Sequence, residues 1–205
     1  MVEASTGKIY NIVVFGATGG TGQEVCKQAI AAGHKVSAFV RNPEKLALEH
    51  PNLEKIKAEL SDQEAMEKAI LGKDAVICTL GGYGLLSRDT TCSVGTRAII
   101  ESMKKTGGTK RLIVCSSYGV GNRSVLPWAV RAMLYHPLAD KDEQEAEILK
   151  SGLDYTIVRP PRLMDAPAKG DYVVMTEGRL PHNQISRADV ATFMLDTLYK
   201  ETYKG

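Results

Sequence analysis

The sequence predicts an α/β fold: one doubly wound domain on a mostly parallel sheet. Three observations carry the prediction. Short β-branched runs alternate with helical patterns along most of the chain. The first such run breaks into glycines and opens straight into a helix. The 205 residues contain no internal repeat and no low-complexity linker, which suits a single domain.

The elements follow in order. "KIYNIVVFG" (8–16) is strand one, and a helix over about 20–32 stops at Gly33. "HKVSAFVR" (34–41) is strand two and "LEKIKAEL" (53–60) a short strand three. "SDQEAMEKAIL" (61–71) is a helix with Ser61 as N-cap and Glu64 three residues on, a capping-box pattern. "DAVICTLG" (74–81) is strand four, and a helix over about 89–105 carries apolar residues at helical spacing. "KRLIVCSS" (110–117) is strand five, "DKDEQEAEILKSG" (140–152) a helix ending at Gly152, and "DYTIVRP" (154–160) strand six. "YVVMT" (172–176) reads as an added edge strand, and "SRADVATFMLDTLYK" (186–200) as a closing helix capped by Ser186. Residues 1–8 read as a flexible tail, leaving 9–205 as the domain. In such sheets ligands bind beyond the carboxyl ends of the strands, at the switch point between strands one and four.

Composition narrows the partners. Hydrophobic residues make up 43%, and 26 basic against 24 acidic residues give a net charge of +2. That balance argues against nucleic acid or a membrane surface as the main partner. No apolar run approaches the roughly 18 residues of a membrane span. The polar N-terminus lacks the apolar core of a signal peptide, so a cytosolic location is expected. Cys26, Cys78, Cys92 and Cys115 form no CxxC pair and read as buried, reduced thiols. With four His and no ligand-spaced cluster, no metal site is expected.

Gly16, Gly19 and Gly22 fit G-x-x-G-x-x-G between a strand and a helix. There the chain must turn tightly, the backbone must approach a pyrophosphate, and the helix must lie close to the strand. Free N–H groups of Gly20 and Thr21, aided by the helix dipole, favour a negative group, and Thr18 and Thr21 can add hydroxyl donors. The motif therefore reads as the phosphate cradle of a dinucleotide-binding Rossmann domain. No Lys-Ser/Thr follows the glycines, which removes the Walker-type alternative. After strand two an NAD site usually offers a carboxylate to the ribose hydroxyls. Here Arg41 stands at that point with Lys45 four residues later, two cations for a 2′-phosphate, which favours NADP(H). Glu59 and Leu60 end strand three and are expected beside the adenine. Leu80, Gly81 and Gly82 end strand four, where glycines let the backbone pass close to the cofactor.

The Tyr-x-x-x-Lys pair of the common short-chain reductases, in which Lys lowers the Tyr pKa, is absent at every tyrosine. The segment after strand five is "CSSYGVG". Cys115 and Ser116 are counted with the cofactor contacts, and Ser117 with the chemistry; a polar loop that merely caps the strand is the competing reading.

At this point the chain resembles a family. "FGATGGTG", "VRNPEKL", "KDAVICTLG", "KSGLDYTIVRPPR" and "ISRADVATFML" together look like the atypical short-chain dehydrogenase/reductases, nearest to the biliverdin reductase B (flavin reductase) type, over roughly 9–200. The resemblance implies a monomeric NADPH-dependent reductase of a flat, conjugated acceptor: a flavin, a bilin-like tetrapyrrole or a quinone. Direct hydride transfer needs orientation more than acid–base help. By position, it implies that Gly16, Thr18, Gly19, Gly20 and Thr21 hold the pyrophosphate, Arg41 and Lys45 the 2′-phosphate, and that Ser117 lies near the nicotinamide with Pro160 and Pro161 bordering its pocket. The chain departs from that family at Lys141 and Arg162, where biliverdin reductase B members carry His. Lys141 occurs at its place in related atypical reductases, where it reaches the cofactor ribose or acts as an acid; otherwise it is a solvated charge on a helix start. Arg162 suits an acceptor carboxylate or phosphate, or else pairs with Asp165. Two other functions share the fold: a non-catalytic NADP(H) sensor of the NmrA-like kind, and an epimerase, which would want the missing Tyr or another strong base.

Overall fold

The computed structural model describes residues 7–82, 89–199 and 203–204. Six strands form one parallel sheet: β1 (Asn11–Phe15), β2 (Lys35–Val40), β3 (Leu53–Lys57), β4 (Ala75–Cys78), β5 (Arg111–Cys115) and β6 (Asp154–Val158). Their order is β3-β2-β1-β4-β5-β6, so the chain reverses direction across the sheet between β1 and β4, as the doubly wound reading required.

Within β1 the side chains divide by parity. Ile12 and Val14 belong to the core under α1 (Gly20–Ala31) and α6 (Arg187–Tyr199). Val13 and Phe15 belong to the core under α2 (Gln63–Ile70), α3 (Thr91–Thr106) and α5 (Tyr135–Leu149). All four are 0% exposed, because helices cover both faces of the sheet. Burial of each such side chain contributes about 1.5–3 kcal/mol, which is why a continuous apolar run rather than an alternating one marks the central strands. The rims are wetter: β3 and β6, at the two edges, are mostly half-buried.

Four local expectations change. The helix at 61–71 is capped by Asp62, whose Oδ1 accepts the Ala65 N–H at 3.0 Å, not by Ser61. The start at Gln63 puts Glu64 too early to close a capping box, and it pairs with Lys68 one turn on, at 2.6 Å. The helix expected from residue 140 starts at Tyr135, because Pro137 falls in its first turn, where the missing N–H would have no helical partner. A short unexpected helix, α4 (Trp128–Met133), precedes it. "YVVMT" forms no strand and joins neither sheet; 172–176 and β6 instead both line a cavity of 410 Å³, so the segment covers the edge strand without pairing with it. Instead β7 (Arg162–Met164) and β8 (Gln184–Ser186) pair with each other in parallel.

Ser186 does cap the closing helix. Its Oγ accepts the Asp189 N–H at 2.9 Å and donates to Asp189 Oδ2 at 2.7 Å. Residues 1–6 of the expected tail, and Lys200 at the expected end of this helix, lie outside the described residues. Among the described residues no helix is long and apolar enough to cross a membrane.

Candidate functional site

The site starts at the turn between β1 and α1. Gly16 has φ +80°, and a Cβ there would lie 2.7 Å from the backbone of Thr79, at the end of neighbouring β4. A Cβ on Gly22 would lie 2.3 Å from the Gly16 carbonyl oxygen and 2.7 Å from Thr79 Oγ1. Thr79 completes the joint: its hydroxyl lies 3.0 Å from the Phe15 carbonyl oxygen and 3.2 Å from that of Gly16. Two strands and a helix thus converge where only glycine fits. Gly19 ends the turn, and no side chain caps α1, so its first N–H groups open onto a cleft.

That cleft has a volume of 640 Å³ and runs along the carboxyl ends of β3, β2, β1 and β4. Gly16, Thr18, Gly19, Gly20 and Thr21 form its floor. Arg41, directly after β2, and Glu59 and Leu60, after β3, line one end; Leu80, Gly81 and Gly82 line the other. These are eleven of the residues singled out from sequence, brought to one concavity by the strand order. Lys45 is not among them: it ends a 3-10 turn (Pro43–Lys45) with its side chain exposed outside the cleft lining. Several contributors escaped sequence reading: Thr79, Ser61, Phe39 and Val40 at the end of β2, Thr90, Thr91, Val94 and Gly95 at the start of α3, and Arg187. Only Thr79, lying between two strand-end signals, left a trace that could have been followed.

Beyond Gly82 a second cavity of 170 Å³ is lined by Ser117, Lys141 and Asp140, with apolar walls from Leu134, Pro137 and Leu138. Lys141 is half-buried, not solvated. Its Nζ donates to the carbonyls of Leu80 (2.9 Å) and Cys115 (2.8 Å) and to Gln144 Oε1 (2.9 Å), which uses all three of its protons. The side chain therefore ties together the ends of β4 and β5. Asp140 faces the other way and accepts the N–H groups of Cys92 and Ser93 at the start of α3, both at 2.9 Å.

The remaining sequence candidates sit elsewhere. Cys115 is buried, and burial pushes its thiol up to about 11, opposed by the nearby Lys141 charge. Ser116 points inward, its hydroxyl 2.5 Å from Glu145 Oε1, a buried carboxylate also gripped by Arg159. Pro160 is buried, and its carbonyl accepts the Tyr118 N–H at 2.9 Å; with Pro161 it borders the cavity outside β6, away from the cleft. Arg162 is exposed on β7 and does not line the cleft. Its expected partner Asp165 is held by Arg187 instead, at 2.6 Å. The four cysteines are all buried and free, and burial pushes Cys26 and Cys92 up to about 12.

A parallel sheet in this order, with a glycine joint at its switch point and an uncapped helix facing an elongated cleft, defines a dinucleotide-binding Rossmann domain. The sequence profile described as NAD(P)H-binding matches residues 16–201, and the chain belongs to that family. An uncharacterized chloroplastic protein of Arabidopsis thaliana is 31% identical over 95% of this chain and 74% of its own length. An uncharacterized sugar epimerase of Bacillus subtilis is 30% identical over 91% of this chain and 87% of its own. An isoflavone reductase of Cicer arietinum is 26% identical over 90% and 64%. Among solved structures, ChuY, titled an anaerobillin reductase from Escherichia coli O157:H7, shares the fold with a TM-score of 0.80 at 24% identity, covering 91% of this chain and 89% of that one. The family is thus NAD(P)H-binding, and proteins named as reductases are among this chain's relatives.

Proposed function

We propose that this protein is an NADPH-dependent reductase that passes hydride to a flat, conjugated acceptor: a flavin, a bilin-like tetrapyrrole or a quinone. The carrying observation is that one track leads from Arg41, across the glycine turn, to Gly82 and on into the smaller cavity at Ser117. Its length and polarity suit a dinucleotide, with a cation at one end and a small, largely apolar chamber at the other.

The fit is tested by the chain's own steric demands. Where Gly16 and Gly22 stand, a Cβ would collide with backbone, so the turn is shaped for close approach. In this reading Arg41 holds the 2′-phosphate, and the N–H groups of Gly20 and Thr21, with the Thr18 and Thr21 hydroxyls, face the pyrophosphate. Gly81 and Gly82 let the backbone pass the nicotinamide half. When bound, NADPH supplies the hydride. Ser117 orients the reacting end, and Lys141 is a positioning residue, because its three protons are committed to Leu80, Cys115 and Gln144. Leu134, Pro137 and Leu138 exclude water on the acceptor side. A monomer is what the resemblance to biliverdin reductase B implies, and four free thiols suit a reducing compartment such as the cytosol.

The competing reading is an NADP(H) sensor without turnover, favoured by the full occupation of Lys141 and the missing Tyr-x-x-x-Lys. An epimerase would need a strong base; among the described residues the carboxylates lining the smaller cavity are Asp140, which accepts the Cys92 and Ser93 N–H groups, and Asp89, which accepts the Thr91 N–H at 2.8 Å, so both are engaged with the start of α3. The test is to mix protein, NADPH and flavin mononucleotide, then bilins and quinones, and to follow the nicotinamide absorbance. Acceptor-dependent oxidation is expected. Tight NADPH binding with no oxidation by any of these acceptors would establish the sensor.

A further inference from the structure

Arg187 is the first residue of α6, yet its side chain leaves that helix and crosses to the glycine turn. A Cβ placed on Gly20 would lie 2.6 Å from Arg187 Cδ and 2.8 Å from its Nε. The bare backbone of Gly20 is what lets the arginine stem lie flat against the first turn of α1. Arg187 lines the cleft, and together with Asp165 and Gly20 it also lines the groove behind, so it stands in the wall between the two. Its Nη1 meets Asp165 Oδ1 at 2.6 Å; the arginine side chain is 27% exposed and the aspartate 87%.

Asp165 directly follows β7 and begins the segment 165–183 that returns to β8. A second tie holds that segment to the same helix: Asp189 Oδ1 accepts the N–H groups of Lys169 and Gly170, both at 2.9 Å. Further along, the segment borders the two cavities beside Pro161 and β6.

We infer that Arg187 grips the pyrophosphate of the bound dinucleotide and, through Asp165, fastens the segment 165–183 to the cofactor. The inference rests on the dinucleotide reading of the cleft. An arginine fork carries five N–H donors in a fixed plane, and Asp165 takes one of them, so the guanidinium can hold a carboxylate and a phosphate together. The uncapped N–H groups of α1 supply the other half of the phosphate's partners. A cofactor held this way stiffens the segment that borders the outer cavities, so the dinucleotide is felt on the far side of β7.

The test uses three ligands with the full chain: NADPH, NADH and 2′-AMP, which has the 2′-phosphate but no pyrophosphate. Wild-type binding of NADPH is read first, and its absence would strike down the cofactor reading itself. Given that binding, Arg187→Ala is expected to weaken NADPH and NADH alike, by roughly 10- to 100-fold for a lost charged hydrogen bond. Binding of 2′-AMP is expected to stay within about twofold. Arg187→Lys, which keeps the charge and loses the fork, is expected to fall between, and it carries the test if the alanine variant does not fold. Hydrogen exchange supplies the second arm: NADP is expected to slow the amides of 166–171 in the wild type, and not in Arg187→Ala or Asp165→Asn, while the glycine turn stays protected in Asp165→Asn. Unchanged NADPH affinity in Arg187→Ala, or equal loss for 2′-AMP, overturns the pyrophosphate contact. Tighter NADPH binding in Asp165→Asn overturns the bridge, since it would make Asp165 a competitor of the phosphate.

Discussion

The ammonium of Lys141 donates to the carbonyl oxygen of Leu80 at 2.9 Å, joining α5 to the end of β4. With the second bond, to the Cys115 carbonyl, this makes Lys141 a strut under the β4 end of the cleft. Lys141→Met keeps the stem and leaves two inward carbonyls without that donor. A loss of about 1–3 kcal/mol in unfolding free energy is expected, measured by denaturant titration. A strut and an acid differ in the pH profile of kcat/KM with a flavin acceptor. The strut lowers the profile without changing its shape; disappearance of a limb in the variant would assign Lys141 the acid's role.

Gly22→Ala tests the joint between β1, β4 and α1. The new methyl would press on the Gly16 carbonyl oxygen, which belongs to backbone and cannot rotate away. Overpacking of this kind is expected to destabilise by about 1–3 kcal/mol. NADPH binding is expected to fall below detection in titration calorimetry. A variant that binds NADPH normally would show that the turn has slack.

Arg41→Asp separates the two nicotinamide cofactors. NADH lacks the 2′-phosphate that the proposed binding mode gives to Arg41, so NADPH affinity is expected to drop at least about tenfold more than NADH affinity. Equal losses, read by fluorescence titration of the two reduced cofactors, would refute the 2′-phosphate assignment.

His34 gives a pH test unrelated to the cleft. Its ring is 0% exposed; Nδ1 accepts the Tyr10 N–H at 3.3 Å, and Nε2 lies 2.7 Å from the Tyr199 hydroxyl. Burial lowers its pKa from 6.5, so the fold holds it neutral. An unfolded chain then binds a proton that the folded chain refuses, and stability falls as pH drops below about 6.5 toward the lower folded value. Unfolding free energies at pH 7.5 and 5.5 are expected to differ less in His34→Gln than in the wild type. An equal difference in both would place the acid sensitivity elsewhere.

The six strands and the glycine turn were legible in the sequence because each rests on a local demand: two covered faces for β1, no room for a Cβ at Gly16 and Gly22. Direction of side chains was not. Ser116 and Ser117 look alike in "CSSYG", yet strand alternation sends the first toward Glu145 and the second toward the small cavity. Which one faces the site depends on where β5 stops, and no residue type announces that. Lys45 and Arg162 are cations at plausible spacings whose side chains point to solvent beyond the cleft. Arg187 and Gly20 are 167 positions apart, and only the packing of α6 on α1 brings them together. The start of α5 was also hidden: the apolar and proline-containing stretch before residue 140 gave no helical signal, yet Pro137 sits in the first turn, where a helix tolerates it.

The cavity of 410 Å³ that β6 and 172–176 both line has a bearing on how such a chain can change over time. A segment that shields a strand without joining its ladder owes no register to the sheet. It can lengthen, shorten or exchange side chains while every backbone bond of the parallel core stays in place. The nucleotide half of the protein is fixed by collisions that a single methyl would cause; the opposite rim is free to be rewritten.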